Sequence, residues 1–345
     1  MVAEQTRLMS APTSARRMAV AAQAYLATLD APRLAATKYP FECEERYRWN
    51  YRPDGFEWEG RTFWHEGLRL FNMTEPQKHA AAALLDAGLS AQGAERSRAI
   101  MALEEHLRLT ERLTTFVPHV VRDPELYAFS IFGEPGGTAP WAWRAGGHHL
   151  GLHFTVVGDQ VSPTPLFFGA NPAEVRHGPA SGLRTLPVEE DAARDLLRAL
   201  SAANREVAVV SPTAPRDILT DAFRNAYHLT DMAPGLTFGA MSGQERERLV
   251  RLIRVYVDRA SDEIAAAHWR RFEDAGLDRV TFAWAGGAEP GEPHYYVVKG
   301  TQFIIEYDKT QDGANHIHSV LRDFTNDWAG DILAAHYASA HRASA

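Results

Sequence analysis

The chain has 345 residues, of which 45% are hydrophobic and 23% are charged, as is ordinary for a globular protein. A net charge of −8, without a cluster of Lys and Arg, argues against a nucleic-acid partner. The single Cys43 excludes an intramolecular disulfide framework and any metal site built from several cysteines. No apolar run reaches the roughly eighteen residues of a membrane span, and the segment after Arg17 fits an amphipathic helix better than an export signal. We therefore expect a cytoplasmic protein without a membrane partner.

The N-terminal part of the chain is predicted to be helical, after a disordered tail at residues 1–12. Apolar residues recur at the helical period in three segments, residues 14–29, 77–87 and 94–113. Thr74 and Gln77 form a capping box, and Pro76 lies in the first turn of the same helix. These signals predict a layer of helices with a structural role.

Strands dominate the chain from residue 127 onwards, with a helical block between two groups of strands. Strands are predicted over residues 127–133, 141–144, 148–157, 161–168, 280–284, 295–299 and 302–307. Helices are predicted over residues 189–202, 242–267 and 332–340. Strand blocks on both sides of a helical block predict one α+β domain over residues 13–345, with a mixed or mainly antiparallel central sheet and helical layers.

The segment near the C-terminus carries the residues that are most typical of a metal site. His316 and His318 are two residues apart, so on an extended segment their imidazoles point to the same face and can bind one ion. The same rule places Glu306 and Asp308 together on the preceding strand, opposite an apolar face. Two histidines and a carboxylate form the ligand set of many open catalytic metal sites. Structural histidines beside solvated acids are the alternative.

A second group of histidines lies far upstream and is predicted to meet His316 and His318 in space. If this segment is a strand, His149 shares a face with His153, while His148 points to the other face. We expect His149, and after it His148, to supply a further metal ligand.

Asp323 and Arg322 follow the histidine pair closely and are candidates for the chemistry. Asp323 could accept a proton from a ligating histidine, or act with Glu306 as a candidate general base on metal-bound water. Arg322 could hold a substrate carboxylate. A surface ion pair between Arg322 and Asp323 is the alternative.

A further substrate-binding group is predicted upstream, just before the second group of histidines. Arg144 lies between two tryptophans and these histidines, and we expect it to hold an anionic group of the substrate, with Trp141 and Trp143 as the apolar wall.

The motifs around these residues resemble a known family. The segment EYDKTQDGANHIHSVLRDF, residues 306–324, resembles the signature of the family catalogued as domain of unknown function 3500. The segments WAWRAGGHHL, FGANP and FAWAG, which begin at Trp141, Phe168 and Phe282, resemble other parts of that family. The similarity extends from about Trp49 onwards, and it implies no activity, because the family name records none.

The residues together predict a metal-dependent enzyme that acts on a small, partly apolar organic substrate. The expected cofactor is a divalent transition metal, namely Zn, Fe or Cu, since all three accept imidazole ligands. With zinc the protein would be a hydrolase that uses metal-activated water, and we favour this reaction because it is the commoner one. With iron or copper the same ligands would make an oxidoreductase, and a non-catalytic metal- or ligand-binding protein is the third alternative.

Overall fold

The structure is a computed structural model that describes residues 9–58, 60–114, 121–222, 224, 226 and 234–343. The chain divides into two compact units. The first unit comprises residues 1–166, 259–268 and 325–345, and the second comprises residues 167–258 and 269–324. The prediction that residues 13–345 form one domain stays a prediction.

The described helices are, in chain order, α1 (Pro12–Ala27), α2 (Ala31–Thr37), α3 (Glu75–Gly88), α4 (Ala91–Thr114), α5 (Pro187–Ala199), α6 (Ala202–Ala208), α7 (Gly243–Val257), α8 (Asp262–Asp274), a short helical turn α9 (Gln311–Ala314) and α10 (Gly330–Ala343). The capping box predicted for α3 is present. The single helix predicted over 242–267 is wrong, because α7 and α8 are separate. Between them, Arg259 accepts a backbone hydrogen bond from Ser90, and Ser261 donates one to Gly88. None of the helices in the described ranges is long and apolar enough to cross a membrane.

The described strands are β1 (Lys38–Tyr39), β2 (Glu57–Trp58), β3 (Arg61–Thr62), β4 (Leu68–Arg69), β5 (Ala128–Phe132), β6 (Trp141–Gly147), β7 (Leu150–Val157), β8 (Gln160–Ser162), β9 (Leu166–Ala170), β10 (Val209–Ser211), β11 (Leu236–Thr237), β12 (Thr281–Gly286), β13 (His294–Lys299), β14 (Phe303–Lys309) and β15 (Ile317–Asp323). The single strand predicted over 161–168 is two strands, β8 and β9. Pro163 and Pro165 interrupt it, because proline has no N–H for the ladder.

The first unit contains a sheet in the order β1-β5-β6-β7, with β4 beside β5 and β8 beside β7. The pairing of β1 with β5 is parallel and the other described pairings of this unit are antiparallel. Its helices pack closely on the sheet: a Cβ added to Gly88 would come within 2.5 Å of the Trp143 ring. Residues 9–12, expected in a tail, are held in place, since Met9 accepts a backbone hydrogen bond from Val161 and Ala11 donates one to Asp159. Residues 1–8 lie outside the described residues.

The second unit contains a sheet in the order β9-β15-β14-β13-β12-β10, with β11 also beside β12. We call one side of it the helix face, where Tyr296 and Tyr307 stack with ring centroids 4.9 Å apart. The Tyr296 hydroxyl donates to the Glu189 carbonyl of α5 and lies 2.6 Å from the Tyr256 hydroxyl of α7. We call the other side the loop face, because four residues of a mostly irregular segment pack on it, namely Val210, Ala214, Leu219 and Ala226. The α+β class with a mixed, mainly antiparallel sheet is confirmed.

Candidate metal centre

The β14–β15 hairpin places Asp308 and His318 directly opposite each other. Residues that are paired across antiparallel strands point to the same side of the sheet. Both side chains therefore lie on the loop face of the second unit, as does Glu306, two residues before Asp308. The sequence rule that grouped the two carboxylates on one face is confirmed by this register.

The turn between the two strands is tight and is held by side chains. Asp312, Gly313 and Ala314 all have positive φ angles, of 52°, 66° and 56°. This left-handed conformation is unfavourable for the two residues that carry a Cβ, so contacts around the turn must hold it. The Asn315 side chain accepts a hydrogen bond from the Glu174 N–H at 2.9 Å and donates one to its carbonyl at 3.1 Å. Asn315 fixes the turn.

Asp217, Asp308 and His318 form a compact group of possible metal ligands. Each of these side chains offers one ligand atom, and these three atoms all lie within 4.8 Å of one another. His318 Nδ1 is 2.6 Å from Asp217 Oδ1. Asp308 and His318 are only 1% and 5% exposed, whereas the Asp217 side chain is 31% exposed. The group is thus buried on the side of the sheet and reachable on the side of Asp217.

The electrostatics of the group fit a bound cation. Burial, with a smaller contribution from the charge of Asp217, raises the pKa of Asp308 from its usual 3.8 to about 7, although His318 and the hydrogen bonds from Thr310 act in the opposite direction. Two carboxylates this close repel each other in a medium that solvates them poorly. A divalent cation would supply the missing positive charge, and a carboxylate and imidazole donor set suits a transition metal.

His316 lies next to the group and is oriented by a carboxylate of its own. The rings of His316 and His318 are 4.7 Å apart at their centroids, and each offers a ring nitrogen within 4.8 Å of the other. His316 Nδ1 is 2.8 Å from Asp312 Oδ2 in the turn. Carboxylates behind ligating histidines fix their tautomer and ring orientation in this way. The structure therefore places two of the predicted metal ligands, His316 and Asp308, each beside a third, His318.

Glu306 does not join this group, although it was expected as both a ligand and a base. Its carboxylate accepts hydrogen bonds from the N–H groups of Leu219 and Thr220, at 2.5 and 3.0 Å, and from the Tyr295 hydroxyl at 2.7 Å. The residue is fully buried, and burial raises its pKa. Its position indicates another role: it holds the backbone just after Asp217 against the sheet.

Asp217 is the member of the group that sequence reasoning missed. It lies between the predicted helices 189–202 and 242–267, where the sequence predicts no helix or strand. Thr310 Oγ1 and Gln311 Nε2 both donate to the carbonyl of Arg216, at 3.0 and 3.3 Å, and so fix the residue before Asp217. The only signal in the sequence was a carboxylate in a loop, which does not reveal that the loop folds back over β14.

Asp323 and Arg322 are separated by the pleat of β15. Asp323 is paired with Phe303 and lies on the helix face, opposite to His318. There its carboxylate accepts hydrogen bonds from the Arg271 guanidinium at 2.9 and 3.4 Å. The structure therefore does not bring Asp323 to the metal group as a base. The alternative, a surface pair with Arg322, is wrong as well, because Asp323 forms a buried pair with Arg271. Arg322 lies on the loop face, where it donates to the Arg224 carbonyl.

His148 and His149 lie in the first unit, and the strand predicted for them is wrong. They form the two-residue turn between β6 and β7, so their side chains do not alternate, and their rings lie 3.7 Å apart. His149 has a φ of 64° and donates its N–H to the Tyr51 carbonyl. His148 Nδ1 bonds to Glu104, whose pKa burial raises to about 7. The prediction that these histidines meet His316 and His318 stays a prediction.

The expected substrate-binding residues are in the core of the first unit. The guanidinium of Arg144 donates to the carbonyls of Glu45 and Glu66 and to the Glu45 carboxylate. Trp141 and Trp143 are 2% and 1% exposed. These contacts give the three side chains a structural role, because none of them reaches a surface that is open to a substrate. His153 is similarly enclosed between the rings of Trp49 and Trp328.

The comparison with known proteins names a family and no activity. Residues 11–330 match the model of the family described as "Protein of unknown function (DUF3500)". The match covers nearly the whole chain, so the resemblance of the motifs is confirmed. No curated protein and no solved structure matches the chain.

Proposed function

Because the chain belongs to the DUF3500 family, whose description assigns no activity, we propose from the site alone that it is a metal-dependent enzyme for a small organic substrate. The observation that carries the proposal is the group of Asp217, Asp308 and His318, with three possible ligand atoms within 4.8 Å and with Asp308 and His318 buried. A structural role alone would not require two carboxylates to share this space. The cost of burying Asp308 beside a second carboxylate is offset when a cation is bound.

The proposed ligands divide into inner and supporting residues. His318 and Asp308 are the inner ligands, because they face each other across the hairpin and are both buried. The Asp217 hydrogen bond to His318 Nδ1 favours the tautomer that presents the Nε2 lone pair to a metal. His316 is the proposed third ligand, with Asp312 as its supporting carboxylate. His149 remains a further ligand proposed on the sequence.

We favour hydrolysis as the reaction. A bound zinc ion would lower the pKa of a water molecule and polarise the substrate. Asp217 is the proposed proton acceptor, since it is the most exposed carboxylate of the group. With iron or copper in the same ligands, the protein would instead be an oxidoreductase.

A non-catalytic binding protein is the second candidate. This candidate is supported because His318 and His316 each form a hydrogen bond with a carboxylate of the protein, Asp217 and Asp312, without a metal. In that case the group would stabilise the hairpin and the loop segment, and a small ligand would bind without reaction.

Metal analysis of the purified protein separates these candidates. We expect about one transition-metal ion per chain in the wild type, a loss of most of it in His318→Ala and Asp308→Asn, and full content in the control His177→Ala, an exposed histidine of the same unit. The metal's identity then distinguishes the hydrolase from the oxidoreductase. Absence of stoichiometric metal after both aerobic and anaerobic purification, or full metal content in His318→Ala, would refute the proposal.

A further inference from the structure

A cavity of about 410 Å³ opens on the helix face of the second unit. Its walls come from α5, from Lys309 at the end of β14 and from the loop that contains Arg176. Its cationic lining residues are Arg176, Arg184, Arg194, Arg198 and Lys309. Lys309 follows Asp308 in β14 and therefore points to the opposite side of the sheet, so this cavity is distinct from the candidate metal centre.

The charges around the cavity leave a positive excess at its buried end. Glu190, whose side chain is 4% exposed, accepts hydrogen bonds from Lys309 and from Arg194, both at 2.7 Å. The single negative charge of Glu190 thus neutralises only one of the two positive charges of Lys309 and Arg194. Asp191 does not reduce this excess, because Arg184 binds it in a bidentate pair at 2.7 and 2.8 Å.

The remaining acidic lining residues, Glu174 and Asp195, are both exposed. Asp195 accepts a hydrogen bond from Arg248, which is not part of the lining, at 3.1 Å. Arg176, in contrast, has no ion pair and no side-chain hydrogen bond with any residue that the structure describes. A cation that borders a cavity without an internal counterion is available for a ligand.

The donors of the buried cations are only partly used. An ammonium group carries three N–H donors and a guanidinium carries five. Among the described residues, Lys309 donates to Glu190, while Arg194 donates to Glu190 and to the Ala288 carbonyl. The remaining N–H groups match the acceptors of an oxyanion, and bonds between charged partners are the stronger kind of hydrogen bond.

We propose that this cavity binds a small organic anion through a carboxylate or phosphate group held by Lys309, Arg194 and Arg176. The cavity's volume suits a small metabolite rather than a polymer. Ala314 and Asn315 also line the cavity, and they belong to the turn that carries Asp312 and precedes His316. A ligand at this place therefore touches the hairpin that forms the candidate metal centre. The proposal does not depend on a metal being bound there.

Isothermal titration calorimetry with two probes tests the proposal. Inorganic phosphate and succinate are titrated separately into the wild-type protein, with sodium chloride at equal ionic strength as the reference. We expect saturable binding of at least one probe with about one site per chain, and the probe that binds distinguishes a phosphate from a carboxylate ligand. Absence of saturable binding for both probes at millimolar concentration overturns the proposal.

Variants locate the binding in the cavity. We expect Arg176→Gln to raise the dissociation constant by about tenfold, since one charged hydrogen bond is lost. Lys309→Gln is expected to raise it at least as much, and Arg176→Gln keeps the test valid if Lys309→Gln does not fold. The matched control is Arg270→Gln, because Arg270 of α8 is exposed, lies in the same unit and is outside the lining. Unchanged affinity in Arg176→Gln, or an equal loss in Arg270→Gln, contradicts the proposal.

Discussion

Replacing Asp308 by Asn tests the electrostatic basis of the candidate metal centre. The unfolded chain releases this proton above its usual pKa of 3.8, whereas burial keeps it on the folded chain up to about 7. The free energy of unfolding therefore falls as the pH rises between these values, and the loss is complete above about 7. The difference between these two pKa values corresponds to a loss on the order of 4 kcal/mol in the free energy of unfolding of the metal-free protein.

Asn has the shape of Asp without its charge, so Asp308→Asn removes this cost. In the presence of a chelator at about pH 8, we expect the variant to be more stable than the wild type by up to about 4 kcal/mol. At about pH 4 the two proteins should have nearly the same stability, because the pH is then barely above the usual pKa of 3.8 and little of the cost has accumulated. An added divalent metal should stabilise the wild type and leave the variant unchanged.

Urea unfolding at several pH values, with chelator and with metal, measures these differences. The control is Asp274→Asn, at the end of α8 and outside the metal group, which should follow the wild type throughout. The account of Asp308 is refuted if Asp308→Asn is less stable than the wild type at about pH 8 in chelator. It is also refuted if added metal stabilises the variant as much as it stabilises the wild type.

Three other predictions concern the two faces of the second unit's sheet and the packing of a helix on the sheet of the first unit. Glu306→Gln places an amide against the N–H groups after Asp217, so we expect metal affinity to fall by about tenfold in a chelator-competition assay; an unchanged affinity would exclude the supporting role. Glu190→Gln leaves two buried cations uncompensated and should lower the free energy of unfolding by about 3 kcal/mol at neutral pH. Burial would raise the pKa of Glu190, but Lys309 and Arg194 outweigh it and hold this pKa at about 2. The wild type should therefore lose the stabilisation from the ionised Glu190 as the pH falls from 4.5 to about 2, whereas the variant should not. Identical acid-denaturation curves for the two proteins would contradict this. Gly88→Ala forces a contact with the Trp143 ring and should cost about 1–3 kcal/mol by thermal unfolding, whereas Gly243→Ala, which meets nothing within 4 Å, should not; equal effects would refute the packing argument.

Local periodicity predicted the parts of the site that lie on one hairpin. The alternation of β14 placed Glu306 and Asp308 on one face, and the spacing of His316 and His318 placed both imidazoles near each other. Periodicity does not report what covers a face. The backbone N–H groups of Leu219 and Thr220 donate to the Glu306 carboxylate and not to Asp308. This difference depends on how residues 217–220 fold back over the sheet.

The sequence predictions that are wrong or incomplete also have physical causes. His148 and His149 fit a strand by composition, but two residues between paired strands make a hairpin turn, which gives His149 its positive φ. The break between α7 and α8 follows from backbone hydrogen bonds to Gly88 and Ser90, which are far away in the sequence. Asp217 is 91 residues before Asp308 in β14 and 101 residues before His318 in β15, so only the tertiary fold identifies it.

The central claim is that a metal ion binds between Asp308 and His318, and anomalous diffraction from crystals of the metal-loaded protein tests it most directly. We predict one strong anomalous peak at the metal's absorption edge, about 2 Å from an Asp308 oxygen and a His318 nitrogen. The same map decides whether Asp217 binds the ion or only orients His318, and whether His149 contributes. A map without a peak beside these two side chains, or with a peak held by other residues, would contradict the account.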